Sequence, residues 1–210
     1  MEYRLYYWPV PFRGQFIRAI LAYAGKKWVE EDVAQETVAF MGPPALVVEK
    51  TGFAIAQMPA IAFYLGETLG LLPKTAEGKA MSLKIVNDAN DVIDEITLDG
   101  GREMWTEEKW RDFLPRLERW MAIFEAAPFE EEAGVAEIVT ATLWSTMRER
   151  FPVIGERLDE QAPRTAALCR RLWEMPALAK LAEDARRLYG DAYCGGQIER
   201  SLRKVLDQPR

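Results

Sequence analysis

Tyr3-Arg4-Leu5-Tyr6-Tyr7-Trp8-Pro9-Val10-Pro11, running into Phe12-Arg13-Gly14-Gln15-Phe16-Ile17-Arg18-Ala19-Ile20-Leu21, is the stretch on which the fold turns. Its start is rich in aromatics and reads as a strand from Tyr3 to Trp8. The prolines end it, because Pro has no N–H for a sheet ladder. Tyr6 and Tyr7 then point to opposite faces of the sheet. From Phe12 the period changes: Phe16, Ile17, Ile20, Leu21 and Ala24 recur at helical spacing, and Gly25 stands where a helix stops. A helix over Phe12 to Ala24 follows.

Further along, Lys27 to Val33 reads as a second strand, although Glu31 interrupts the alternation of Val29 and Val33. Thr37 to Met41 is too short to assign. Gly42-Pro43-Pro44 is a break. Ala45 to Glu49 and Phe53 to Ala56 read as two strands joined by a hairpin turn at Lys50-Thr51-Gly52. Met58 to Leu69 is helical, and Leu71-Leu72-Pro73-Lys74 is a linker. The order predicts an α/β domain over residues 1–74, a four-stranded mixed sheet with helices on both faces. Residues 75–210 read as an all-α domain. Helices are predicted over Met81–Leu98 (stopped by Gly100-Gly101), from Thr106 with Glu107 and Glu108 favouring its positive end, and over Val135–Glu149, Ala162–Glu174, Ala177–Tyr189 and Gln197–Leu206.

Composition excludes whole classes of chemistry. The chain has no histidine, which removes every mechanism built on imidazole and the commonest nitrogen ligand of zinc. Cys169 and Cys194 form no CxxC, so they read as two free thiols in a reducing compartment, with no metal. The net charge of −6 argues against a phosphate backbone as partner, so no nucleic acid is expected. No run of 18 apolar residues exists and the start is unlike a signal peptide, so the expected location is the cytoplasm, away from the membrane.

Leu5-Tyr6-Tyr7-Trp8 with Arg13-Gly14 and Ile17-Arg18-Ala19-Ile20-Leu21 resembles the first strand and helix of tyrosine-type glutathione transferases, a bacterial member with a mu-like motif. Pro44-Ala45-Leu46, Gln57-Met58-Pro59-Ala60-Ile61 and Tyr64-Leu65 resemble the family's second signature, and Gly70-Leu71-Leu72-Pro73 its linker. Ala136-Glu137-Ile138 before Ala141-Thr142-Leu143-Trp144 resembles its helix start in the second half. The resemblance implies the glutathione transferase fold: a thioredoxin-like α/β N-terminal domain followed by an all-α C-terminal domain. It also implies glutathione as co-substrate, a small hydrophobic electrophile as second substrate, a detoxifying role and a homodimer.

The chemistry needs a thiolate, and a free thiol with a pKa near about 8.5 is mostly protonated at neutral pH. Lowering it by about two units takes only about 2.7 kcal/mol, within reach of one hydroxyl donor in a desolvated cleft. No Ser or Cys precedes Ser82, so the serine and cysteine types are excluded, and Tyr7 matches the catalytic position. The reading requires the Tyr7 hydroxyl to face a groove.

By resemblance, Pro44 is the cis-proline beside the cysteinyl part, Gln57 and the next residue hold the γ-glutamyl carboxylate at a helix N-terminus, and Trp8 and Arg13 contact the tripeptide. Arg18 reads as structural. Two departures weaken the match. Pro43 has no N–H to donate, unless Pro43 is itself the cis residue and Gly42 takes its place; Met58 replaces a hydroxyl residue. A partner-subunit acid completes the site in the family, and Asp88, Asp91 and Asp94 all lie on the right helix. Gly134 replaces the usual Ser/Thr cap before Glu137, with a small expected stability cost. Met81, Trp105 and the Tyr189–Tyr193 tail are candidate liners of the electrophile pocket. The competing reading is a non-catalytic binding or scaffold protein with a weakened glutathione site.

Overall fold

The computed structural model describes residues 2–35 and 39–207. The first half holds β1 (Tyr3–Tyr6), α1 (Phe12–Tyr23), β2 (Trp28–Glu31), a 3-10 turn (Val33–Gln35), β3 (Ala45–Val48), β4 (Phe53–Ala56) and α2 (Met58–Thr68). The sheet order is β2-β1-β3-β4. β1 runs parallel to β2 and antiparallel to β3, with Leu5 opposite Glu30 on one side and Leu46 on the other. The parallel pair needs a long crossover, and α1 supplies it. α1 stops in a Schellman turn: Gly25, at φ +65°, donates to the Ala22 carbonyl, and Lys26 donates to that of Leu21.

Alternation along β1 sends Tyr3 and Leu5 into the main core under α1 and α2. Tyr6 joins Ala45 and Val47 in a small cluster on the opposite face. Among the described residues both long helices of this half lie on one face, which corrects the expectation of helices on both. On the other face, Phe40, Ala54 and Ala56 pack against the small cluster. The segment left unassigned at Thr37–Met41 falls partly outside the described residues.

The second half holds α3 (Ala76–Ile96), a one-turn α4 (Leu98–Gly101), α5 (Glu107–Glu125), α6 (Val135–Arg150), α7 (Pro152–Gln161), α8 (Pro163–Trp173), α9 (Pro176–Tyr189) and α10 (Gly196–Leu206). α3 begins well before the predicted Met81. The Thr75 hydroxyl caps it by accepting the Gly78 N–H at 3.1 Å, so the polar turn before the apolar stripe is already helical. α7 was not predicted. Pro152 is its first helical residue, as are Pro163 in α8 and Pro176 in α9. Pro is favoured there because that N–H has no intrahelical partner.

α6 is the axle of the core. It is buried on every side from Val135 to Met147, packed by α1, α3, α7 and α8. Trp144, fully buried, meets Phe124 edge-on at 5.6 Å. The buried hydroxyls of Thr140 and Thr142 are satisfied by donating to the Ala136 and Ile138 carbonyls.

The two halves meet along a close seam. The Leu71 carbonyl accepts the Val135 N–H at 2.9 Å, and the Glu137 carboxylate accepts the N–H groups of Gly134 and Glu130. A Cβ on Gly134 would stand 2.6 Å from the Leu71 oxygen. Glycine is therefore required at this helix start rather than tolerated, which reverses the expected small penalty. Gly134→Ser should cost about 1–3 kcal/mol, the usual range for overpacking, although serine is the better cap in isolation. Urea denaturation checks this, and a variant as stable as the parent contradicts it.

Candidate active site

Tyr7 follows directly on β1 and continues its alternation, so its ring lies on the side of Tyr3 and Leu5, against α1. The ring is only 4% exposed. Its surroundings explain why. The Arg18 guanidinium carbon is 5.5 Å from its centroid, the Trp8 ring sits at 5.6 Å, and Gly14 approaches so closely that a Cβ would lie 2.3 Å from Cδ1. The expected open groove is not what this ring faces. Three surface clefts of about 520, 450 and 330 Å³ are lined by other residues, and half-exposed Trp8 is the exposed neighbour.

The hydroxyl oxygen accepts the Arg13 N–H at 3.0 Å, at the start of α1. Burial pushes the phenol up to about 12, against the opposing pull of Arg13, Arg18 and the Gly14 N–H. The group is therefore neutral at pH 7. With its oxygen already accepting, its own hydrogen is what it has to offer. It is a hydrogen-bond donor, not a base.

The Pro43–Pro44 bond is cis, so the alternative in which Pro43 is the cis residue does not hold. Pro43, preceding it, offers a carbonyl but no N–H. At the start of α2, Gln57 sits at φ 75°, ψ 117°, a conformation costing a non-glycine residue about 1–3 kcal/mol. Its side chain is exposed and caps nothing, and Pro59 removes one N–H from the first turn. The Met58 side chain is 1% exposed in the core. With that side chain buried, what Met58 offers a ligand is its backbone N–H.

Arg13 is held by α3. Its Nε donates to Asn90 Oδ1 at 3.2 Å, its Nη2 pairs with Asp94, and its guanidinium lies 4.8 Å from the Phe12 centroid. Sequence reasoning named Arg13 but missed Asn90 and Asp94 as its partners; no local pattern links α1 to α3. Of the three candidate aspartates, Asp88 pairs with Lys84 and Asp94 with Arg13. Asp91 is exposed and has no ion pair among the described residues. Partial burial and the neighbouring Asp94, Asp88 and Glu95 raise its carboxyl above the ordinary value. Arg18 is structural, as read: 2% exposed, it holds both Glu30 oxygens at 2.9 Å and donates to the Val10 and Pro11 carbonyls.

The candidate electrophile-pocket residues do not converge. Trp105 is buried, donates to the Ile96 carbonyl and packs on Trp110 and Phe113. Met81 lines the cleft beside the linker, and Tyr189 a groove behind α1. Tyr193 reaches the start of α1, edge-on to Phe12 at 5.5 Å. That tail is clamped by Glu199, whose Oε2 accepts the N–H groups of Tyr193, Cys194 and Gly195 while Oε1 takes Arg203. Burial alone would raise the Glu199 carboxyl, but Arg203 and these N–H donors outweigh it and hold it below the ordinary value of 4.5. Its contribution is thus complete above the unfolded value and lost as pH falls through the folded one. Glu199→Gln should cost about 2 kcal/mol at pH 7, and the difference from the parent should vanish in acid. A difference that stays constant as the pH falls below the ordinary carboxylate range sinks this account.

The model of the glutathione S-transferase C-terminal domain matches residues 81–205. The chain belongs to the glutathione S-transferase family. Probable glutathione S-transferase 7 of Caenorhabditis elegans is 28% identical over 101 residues, 46% of this chain and 49% of the relative. Probable glutathione S-transferase 6 of the same organism is 28% identical over 138 residues, 60% of this chain and 66% of the relative. The chain therefore spans half to two thirds of these curated relatives, and both are nematode proteins. Among solved structures, the monomeric Na-GST-3, a glutathione S-transferase of the hookworm Necator americanus, superposes with a TM-score of 0.72 at 22% identity, covering 88% of this chain and 97% of that one. The glutathione transferase fold, a four-stranded mixed sheet followed by an all-helical half, is shared. Among the described residues no helix is long and apolar enough to cross a membrane.

Proposed function

We propose that this family member is a tyrosine-type transferase conjugating glutathione to a small hydrophobic electrophile in the cytoplasm, as a detoxifying step. Residues 1–74 bind the tripeptide and residues 75–210 shape the electrophile pocket. The observation that carries the reading is the Tyr7 hydroxyl, which accepts the first-turn N–H of α1 and keeps its own hydrogen for a sulfur anion. The thiol proton leaves to solvent, since the chain has no histidine to take it. Because the Tyr7 ring is buried and faces no open groove, this reading requires half-exposed Trp8, packed 5.6 Å from it, to move aside for the thiol. The γ-glutamyl carboxylate lies at the uncapped start of α2, beside Gln57 and the Met58 N–H. In a homodimer, Asp91 is the aspartate left free to reach across.

A second reading, a binding or scaffold protein on the same fold, is favoured by one specific observation. Pro43 and Met58 both lack a side-chain or backbone donor present in the family pattern, and each missing bond weakens binding about tenfold. Calorimetric titration with glutathione separates the two. A Kd near about 0.1 mM supports the transferase; binding weaker than several millimolar, with no turnover of an aryl halide, supports the scaffold.

A further inference from the structure

Behind α1, away from the Tyr7 hydroxyl, a groove of about 330 Å³ runs between α1, β2 and α9. That is the size of a small-molecule site and too small for a docked helix. Ala22, Trp28, Leu181, Leu188 and Tyr189 make its walls mainly apolar, and Leu188 is 60% exposed at the rim. One polar group on the wall is unsettled. Gln15 is 2% exposed, and its Oε1 accepts no hydrogen bond among the described residues. A buried, unpaired amide oxygen is unfavourable unless something supplies a donor.

The charges around the groove select the ligand. Both Glu30 oxygens hold Arg18, and one also accepts the Trp28 Nε1–H at 2.8 Å. Lys180 at the rim is paired with Asp184 at 3.0 Å. Each charge is matched within the wall, so an ionic ligand would have to break an existing pair.

The geometry points to a second binding site in this groove, for an uncharged aromatic molecule carrying one O–H or N–H donor, seated against Trp28 and Leu188 with the donor on Gln15. The terminal amide torsion of glutamine is soft and roughly two-fold, so a flip that exchanges Oε1 with Nε2 turns the unpaired oxygen toward the ligand. Arg18 lines this groove and also packs on the Tyr7 ring, so binding is read without glutathione present.

2-Naphthol and 2-methoxynaphthalene, which differ in the donor, are titrated by calorimetry into the full chain. Naphthol should bind about fivefold more tightly, the worth of one neutral hydrogen bond. Ala177→Trp, at an exposed lip position, fills the groove and should weaken both ligands about tenfold or more. Gln15→Leu should bring the two ligands to equal affinity; if that buried change prevents folding, Ala177→Trp decides alone. Naphthol binding no tighter than its ether, or affinities untouched by Ala177→Trp, overturns the proposal. Neither result bears on turnover, so the transferase reading stands or falls separately.

Discussion

Tyr7→Phe should lower the rate of glutathione conjugation to an aryl halide about 100-fold, the usual effect of removing one preorganised donor from a developing or resident anion. The ring stays where it is, because Gly14, Arg18 and Trp8 hold it whatever its para substituent. The lost partner is the Arg13 N–H, which would be left unpaired in the first turn of α1, so stability should fall by only about 1 kcal/mol. The pH–rate profile distinguishes this from general damage. Without the hydroxyl the bound thiol should titrate near its free value of about 8.5, about two units above that in the parent, so the variant recovers most of its rate at alkaline pH. An unchanged rate, or a rate lowered equally at every pH, rules out the assigned role.

Gly14→Ala should be nearly as damaging without touching any polar atom. An added Cβ would stand 2.3, 2.7 and 2.9 Å from Cδ1, Cγ and Cε1 of Tyr7, which is a rigid ring and not the tip of a flexible chain. Alanine gains about 1 kcal/mol of helix propensity over glycine, but overpacking costs about 1–3 kcal/mol or more, and the clash wins. The ring must move by about an ångström, and a displacement of that size at a reacting group costs about 100-fold. Denaturation should show a net loss of about 2 kcal/mol. In a Tyr7→Ala background the same glycine change should be harmless, since the space is then empty; the double-mutant cycle measures that coupling directly. Full stability and activity in the single variant would refute the packing argument.

What could be read from residues alone follows the range of the interactions involved. β4 and the start of α1 lie where alternation and Pro punctuation put them, because strand pleat and helix period are written in neighbouring residues. The side of the sheet taken by Tyr7 is equally local. Its depth is not: the burial comes from Arg18 and Gly14 one turn apart on α1, folded back over the strand. The early start of α3 rests on a single hydroxyl, Thr75, ahead of any apolar stripe. α7 was hidden because a proline is both a helix breaker and a favoured first residue, and only the chain before it decides which. Asn90 and Asp94, which hold Arg13, were invisible because contacts between distant helices leave no spacing signature. That the Met58 side chain turns inward to fill the core was likewise invisible, because its partners lie on distant elements.

The seam carries a lesson about modularity. At Gly66 a methyl group would press on Val135 and Leu72, and at Gly134 on the Leu71 carbonyl. These two bare positions let a helix of one half and the connecting strap of the other touch backbone to side chain with no slack. A hybrid joining either half of this chain to the complementary half of a relative would therefore misfit unless both glycines and the strap travelled together, so this molecule must be engineered as a single block rather than as two exchangeable parts.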